Sequence, residues 1–226
     1  MSTATEIVEE SKFPTEVQLL TFYMEDVMED VMEEESTDNI YKFCKKHSVQ
    51  ETDFYAHFSS MEQLKQQIWI TFFHNATETL KADASFAQYN DTNKLVALYF
   101  TFFEVLTLNR SYITCVLPNN AEALKNLNQL KGLRTAFKAF LGESLNPKSP
   151  SFIPEQLSSF AQPLVNESYW VQFLFILHFW LNDTSKGFEK TDVLIEKLIH
   201  TSQELSNSKP MESLIDLGKF LWKTKR

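Results

Sequence analysis

Residues Asp38 to Leu64 read DNIYKFCKKHSVQETDFYAHFSSMEQL, and the way this stretch divides decides the fold. Ser36, Thr37 and Asp38 offer caps for a helix whose inner face is Ile40, Phe43 and Cys44. A turn through His47 and Ser48 follows. A second short helix then runs from Gln50 to His57, with Phe54 and Phe58 four residues apart facing inward. Ser59 and Ser60 stop it, and a serine there caps a long helix with Glu62 or Gln63 in its first turn. Leu64, Ile68, Phe72 and Leu80 mark the buried side of that helix. Two short helices joined by a tight turn, the second presenting polar residues outward, make a helix-turn-helix.

Upstream, Pro14-Thr15-Glu16 suits a helix start. Val17, Leu20, Met24, Val27, Met28 and Val31 continue from it as an apolar stripe at three- and four-residue steps. The opposite face is acidic, with seven carboxylates and no base between Glu25 and Glu35. Residues 1–70 hold 15 acidic and 5 basic side chains, a balance of −10, whereas residues 71–226 hold 15 and 16, a balance of +1. The net charge of −9 therefore belongs to the N-terminal third.

Downstream, the spacing predicts helices over about 92–108, 119–142, 153–165, 166–184, 189–206 and 211–224. They are separated by Pro118-Asn119-Asn120, Asn146-Pro147-Lys148-Ser149-Pro150, Asn182-Asp183 before Gly187, and Asn207 to Pro210. No segment alternates with period two for long, so no strand is assigned. The expectation is an all-α chain with a helix-turn-helix head at residues 1–70 and a larger helical ligand-binding and dimerisation domain at 71–226.

Within Asp38 to Leu64 the sequence resembles the TetR family of transcriptional regulators. Val49 fits the small apolar residue after the turn, and Phe54-Tyr55-Ala56-His57-Phe58 fits the family's apolar-Tyr-X-aromatic/His-Phe run. Ser60, Glu62 and Leu64 continue the match, which covers residues 14–70 by motif. The stretch MSTATEIVEESKF has no basic region followed by an apolar core, so a cytoplasmic location is expected. The resemblance implies a homodimer that binds DNA through its heads and a small molecule through its bodies. Candidate DNA contacts are Lys42, Lys45, Lys46, Gln50, Thr52, Tyr55 and His57. Three features depart from the family's pattern. Ser48 stands at the turn position usually held by Gly, Met61 stands where a Lys often follows, and the second helix opens with Gln50-Glu51-Thr52-Asp53. DNA affinity rests mainly on Lys and Arg neutralising phosphates, and two carboxylates at the start of a groove-reading helix oppose it. DNA remains a possible partner, but an electrostatically disfavoured one.

Fifteen of the 20 Phe and all four Trp lie beyond residue 68, concentrated in 98–103 and 169–180. Helices apolar on nearly every face must be surrounded by protein or ligand. They build either a core with a dimer interface or an elongated pocket for an apolar small molecule or lipid. Phe100, Phe103, Glu104, Gln172, Phe175, His178, Phe179 and Trp180 are the candidate ligand contacts. Glu104, Gln172 and His178 are singled out because an unpaired polar group among aromatics is costly. Apolar stripes at Val193, Leu194, Leu198 and Leu205, and at Leu214, Ile215, Leu217, Leu221 and Trp222, suit a homodimer.

Other functions find little support. The chain has 4 Gly, the first being Gly132, so a glycine-rich phosphate loop in the first half is excluded and no nucleotide cofactor is expected. Cys44 and Cys115 are isolated from each other and from His clusters, so no metal site is expected. Neither HExxH nor GxSxG occurs, and the chain reads as no enzyme. Two readings stand. One is a ligand-responsive regulator with DNA binding weakened by the acidic head. The other is a lipid or isoprenoid carrier on the same scaffold, its acidic face reused for a basic protein partner.

Overall fold

The computed structural model describes residues 14–30, 39–117, 127–145 and 158–206. Among them are nine α-helices and no strand, as the periodicity predicts. The helices are α1 (Glu16–Asp30), α2 (Ile40–Lys46), α3 (Glu51–His57), α4 (Met61–Ala82), α5 (Asp91–Leu108), α6 (Arg110–Val116), α7 (Lys131–Ser144), α8 (Ser158–Asn182) and α9 (Glu189–Ser206). The predicted helix at 211–224, the first turns of the one at 119–142 and the caps Ser36, Thr37 and Asp38 lie outside the described residues.

Side chains beside the starts explain where several helices begin. Thr15 and Gln18 form a reciprocal box, with Gln18 N donating to Thr15 Oγ1 at 3.3 Å and Thr15 N donating to Gln18 Oε1 at 2.8 Å. Ser60 and Gln63 do the same work at α4, where Gln63 N donates to Ser60 Oγ at 3.2 Å and Ser59 N donates to Gln63 Oε1 at 2.7 Å. Asn39 caps α2 and Asn90 caps α5, each accepting from the amide three residues on.

Contacts divide the chain into two units, residues 1–69 with 110–129, and residues 70–109 with 130–226. The helix Met61–Ala82 gives its first turns to one and the remainder to the other. In the first unit Tyr23, Phe43, Phe54 and Phe58 form a chain of ring contacts at 5.9 to 6.5 Å. Helix α6, which the sequence does not predict, packs on α1 and buries Tyr112 and Ile113. Of the described residues, 110–117 and 127–129 group with the first unit. Gln129 closes the unit by accepting from Trp69 Nε1 at 3.0 Å and donating to Val116 O at 3.2 Å.

The second unit is built on rings. Phe102 and Phe173 stack at 5.5 Å, Phe73 meets Phe102 at 5.2 Å, and Phe137 meets Phe173 at 5.7 Å and Trp170 at 5.8 Å. Full burial of each such side chain is worth about 1.5 to 3 kcal/mol. Helix α8 is continuous where the sequence expects a break near residue 165. Glu167, at that point, is clamped to α7 by Arg134 at 2.7 Å and Lys138 at 2.9 Å. These two cations hold its carboxyl below the usual range.

Candidate functional site

In the first unit the seven candidate DNA contacts lie on or beside α2 and α3, and all are solvent-exposed. Helical rotation sorts α3: Phe54 faces the core, while Glu51, Thr52, Tyr55, Ala56 and His57 face out. The turn before α3 places Ser48 at φ 56°, in the left-handed region that favours glycine. Ser48 is therefore the strained position of the turn, as the resemblance implies. His57 Nε2 lies 3.2 Å from Pro14 O, tying the end of α3 to the start of α1. Met61 is buried, so the site of the family's lysine is here part of the core.

The electrostatics of this surface are decided by Asp26. Its buried carboxylate receives Lys46 Nζ at 2.8 Å and His47 Nε2 at 2.9 Å. Glu29 holds the same ammonium at 3.2 Å. These contacts hold the Lys46 ammonium well above its ordinary range, its contact with the Asp26 carboxylate contributing most. The His47 ring is sandwiched between Phe22, stacked at 4.4 Å, and Phe43 at 5.0 Å. Of the three lysines on α2, Lys46 is thus already paired by α1, which leaves Lys42 and Lys45. Burial, and then Glu51 and Asp53, push the Cys44 thiol up and disfavour a reactive thiolate.

The second unit holds a pocket of about 280 Å³. Helix α5 lines it with Phe100, Phe103, Glu104 and Thr107, and α8 contributes Trp180. Gly187 and Phe188 form the turn between α8 and α9, and Thr191 and Asp192 of α9 complete the wall. The rings are fixed from behind: Trp180 meets Phe103 at 6.0 Å and Phe188 at 5.9 Å, and its Nε1 donates to Thr107 Oγ1 at 3.2 Å.

Asp183 organises the turn. Its buried carboxylate accepts from Ser185 N and Oγ at 2.8 and 2.7 Å and from Thr191 N and Oγ1 at 3.0 and 2.7 Å. Burial alone would raise its pKa, but these four hydrogen bonds outweigh burial and lower it to about 2. Within the turn Gly187 and Phe188 both adopt φ 62°. Glycine takes that conformation freely, whereas a bulky L residue there costs roughly 1 to 2 kcal/mol. Phe188 is thus a strained residue in the pocket wall.

Four of the eight candidate ligand residues, Phe100, Phe103, Glu104 and Trp180, meet in this pocket. Gln172 instead belongs to an internal network. Tyr99 Oη donates to Tyr169 O at 3.0 Å and to Gln172 Oε1 at 3.3 Å, and Gln172 Nε2 donates to Ser202 Oγ at 3.4 Å. Phe175 and His178 fall on the outer face of α8 with Val171, because Phe173, Ile176, Leu177 and Trp180 take the inner one. Phe179 is half-buried and is not part of the pocket wall. Sequence reasoning missed Thr107, Gly187, Phe188, Thr191 and Asp192. The one sequence signal near them is the Asn182-Asp183 break before Gly187.

A family profile described as the tetracyclin repressor-like C-terminal domain matches residues 94–221. That match covers more than half of the chain and contains every residue of the pocket wall. No curated protein matches the chain.

Proposed function

Because this chain belongs to the tetracycline-repressor-like family of regulators, we propose that its second unit binds a small, largely apolar molecule whose occupancy controls a DNA-binding head. The observation that carries this reading is the pocket itself. It is concave, walled by four aromatic rings and furnished with a few polar groups, and it lies wholly inside the matched region. The first unit supplies a helix-turn-helix in which α3 would enter the major groove and Lys42 and Lys45 would meet phosphates. The protein works as a cytoplasmic homodimer, for two heads about one DNA turn apart require pairing. Val171 and Phe175, 59% and 53% exposed on α8, with Val193 on α9, are apolar surface for that pairing. Light scattering should then give twice the 26.3 kDa chain mass, and a strict monomer at tens of micromolar would exclude this assembly.

A second reading, in which the fold is retained but DNA is not its partner, is favoured by the Asp26 and Glu29 clasp on Lys46. One experiment separates the two. The unaltered protein should bind its own upstream DNA weakly at moderate salt, whereas Glu51→Lys with Asp53→Thr changes each head by +3, two units from the first and one from the second. Each newly neutralised phosphate steepens the salt dependence by close to one logarithmic unit, so the variant should gain visibly salt-sensitive affinity. Tight, sequence-selective binding by the unaltered protein restores ordinary operator recognition. No gain in the variant, with its helical content intact, means that α3 is not presented to DNA.

A further inference from the structure

The pocket carries more information than its apolar walls. Glu104 of α5 and Asp192 of α9 both border it, on elements that pack against each other. Among the described residues neither carboxylate has an ion pair or a hydrogen bond. That is unlike Glu167, which has two cations, and Asp183, which has four donors. Four rings, Phe100, Phe103, Trp180 and Phe188, share the same wall.

We propose that this pocket selects a small organic ammonium ion, an amine or quaternary ammonium carried on a ring or short apolar body, over neutral or anionic guests of the same shape. The inference rests on the reading of the pocket as the ligand site and names the ligand's chemical class. Three physical arguments lead to it. A cation over an aromatic face is attracted by the ring quadrupole, and a wall of several rings is the usual recognition device for alkylated ammonium groups. A neutral guest would cover two carboxylates without giving either a partner, which costs free energy, while a cation supplies that partner. An anion would add repulsion to the same cost. Burial, followed by the nearby charges of Asp183 and Glu196, already raises the Asp192 carboxyl, so added positive charge is welcome there. The volume of about 280 Å³ lies near the lower end of ligand pockets, roughly 300 to 1,000 Å³, and limits the guest to one ring with its ammonium group.

The test uses the full-length protein and two probes of identical shape, meta-hydroxyphenyl-trimethylammonium and its neutral carbon isostere meta-tert-butylphenol, titrated by ligand-detected NMR. The cation should bind about tenfold more tightly than the isostere. Glu104→Gln with Asp192→Asn should remove that preference, the cation losing affinity while the isostere, relieved of covering two charges, holds or gains affinity. Both positions are exposed, so the variant should fold, and circular dichroism checks that it does. Equal binding of the two probes, or a preference that survives the double substitution, overturns charge selection and leaves the pocket reading standing. Binding of neither probe overturns both. Trp180→Phe distinguishes the pocket from an adventitious surface site, since it should weaken both probes, and an unchanged affinity for both would place them elsewhere and overturn the proposal.

Discussion

The two units handle their carboxylates in opposite ways. In the first, Asp26 and Glu29 are turned on the protein's own Lys46 and His47, so the charge is consumed in holding α1 to α2. In the second, Glu104 and Asp192 stand beside aromatic rings with no partner among the described residues. A carboxylate that is paired from within stabilises a fold and removes a cation from service, whereas an unpaired one at a concave aromatic wall is available to a guest. On the proposed reading, this contrast weights the chain toward a guest in the second unit and away from phosphate at the first.

The largest effect should come from breaking the internal pairing. Asp26→Ala strands Lys46 and His47, and removal of one partner of a buried pair costs about 3 to 5 kcal/mol. Because Lys46 is 47% exposed, the lower end, about 3 kcal/mol, is expected in urea unfolding. A loss below about half a kcal/mol would show that the clasp is incidental. Lys46 would then be as free for phosphate as Lys42, and the contrast between the units would fail on its first side.

Asp183 supplies the corresponding structural carboxylate of the second unit. Its folded pKa of about 2 lies below the ordinary carboxylate value, so its contribution is complete above that value and is lost as pH falls toward 2. The shift corresponds to a contribution on the order of 2 kcal/mol. Asp183→Asn should lower stability by about that amount at neutral pH, and the gap to the unaltered protein should close between about pH 4 and pH 2. A gap independent of pH would mean that the lost hydrogen-bond geometry, and not the charge, is what holds the turn.

The legibility of the sequence followed the same division. Helix periodicity and capping residues placed α1 to α5 and α9, because local stripes and side chains beside the helix starts set those elements. Helix α6 stayed hidden: seven residues are too few for a stripe, and its place is decided by Tyr112 and Ile113 packing in the first unit. One face of the aromatic run 169–180 is core, since Trp170 and Phe173 meet the rings of α5 and α7. One-dimensional reading could put Phe100, Phe103, Glu104 and Trp180 among pocket residues, but it could not tell Phe175 or His178 apart from them. Helix rotation relative to neighbours is a tertiary fact. Asp192 was invisible for the same reason, its role depending on how α9 packs on α5.

The smallest stability effect, and the sharpest test of the contrast, is expected at the pocket. A carboxylate kept for a guest contributes nothing to the empty fold, so Glu104→Gln should change stability by no more than about 0.5 kcal/mol. For Asp192 the sign can be argued further. Burial, then Asp183 and Glu196, raise its folded pKa above the unfolded value, so the protonated form is favoured by folding and this contribution disappears as pH rises through the folded pKa. At neutral pH the ionised side chain is therefore a slight burden, and Asp192→Asn should leave stability unchanged or raise it by a few tenths of a kcal/mol, helix-dipole attraction in the first turn of α9 offsetting part of the gain. Urea titrations at pH 7 and pH 4 measure this directly, with the gain shrinking at the lower pH. If either substitution instead costs as much as Asp26→Ala, the carboxylate is a structural partner like those of the first unit, and the pocket loses the unpaired charge on which its preference for a cation depends.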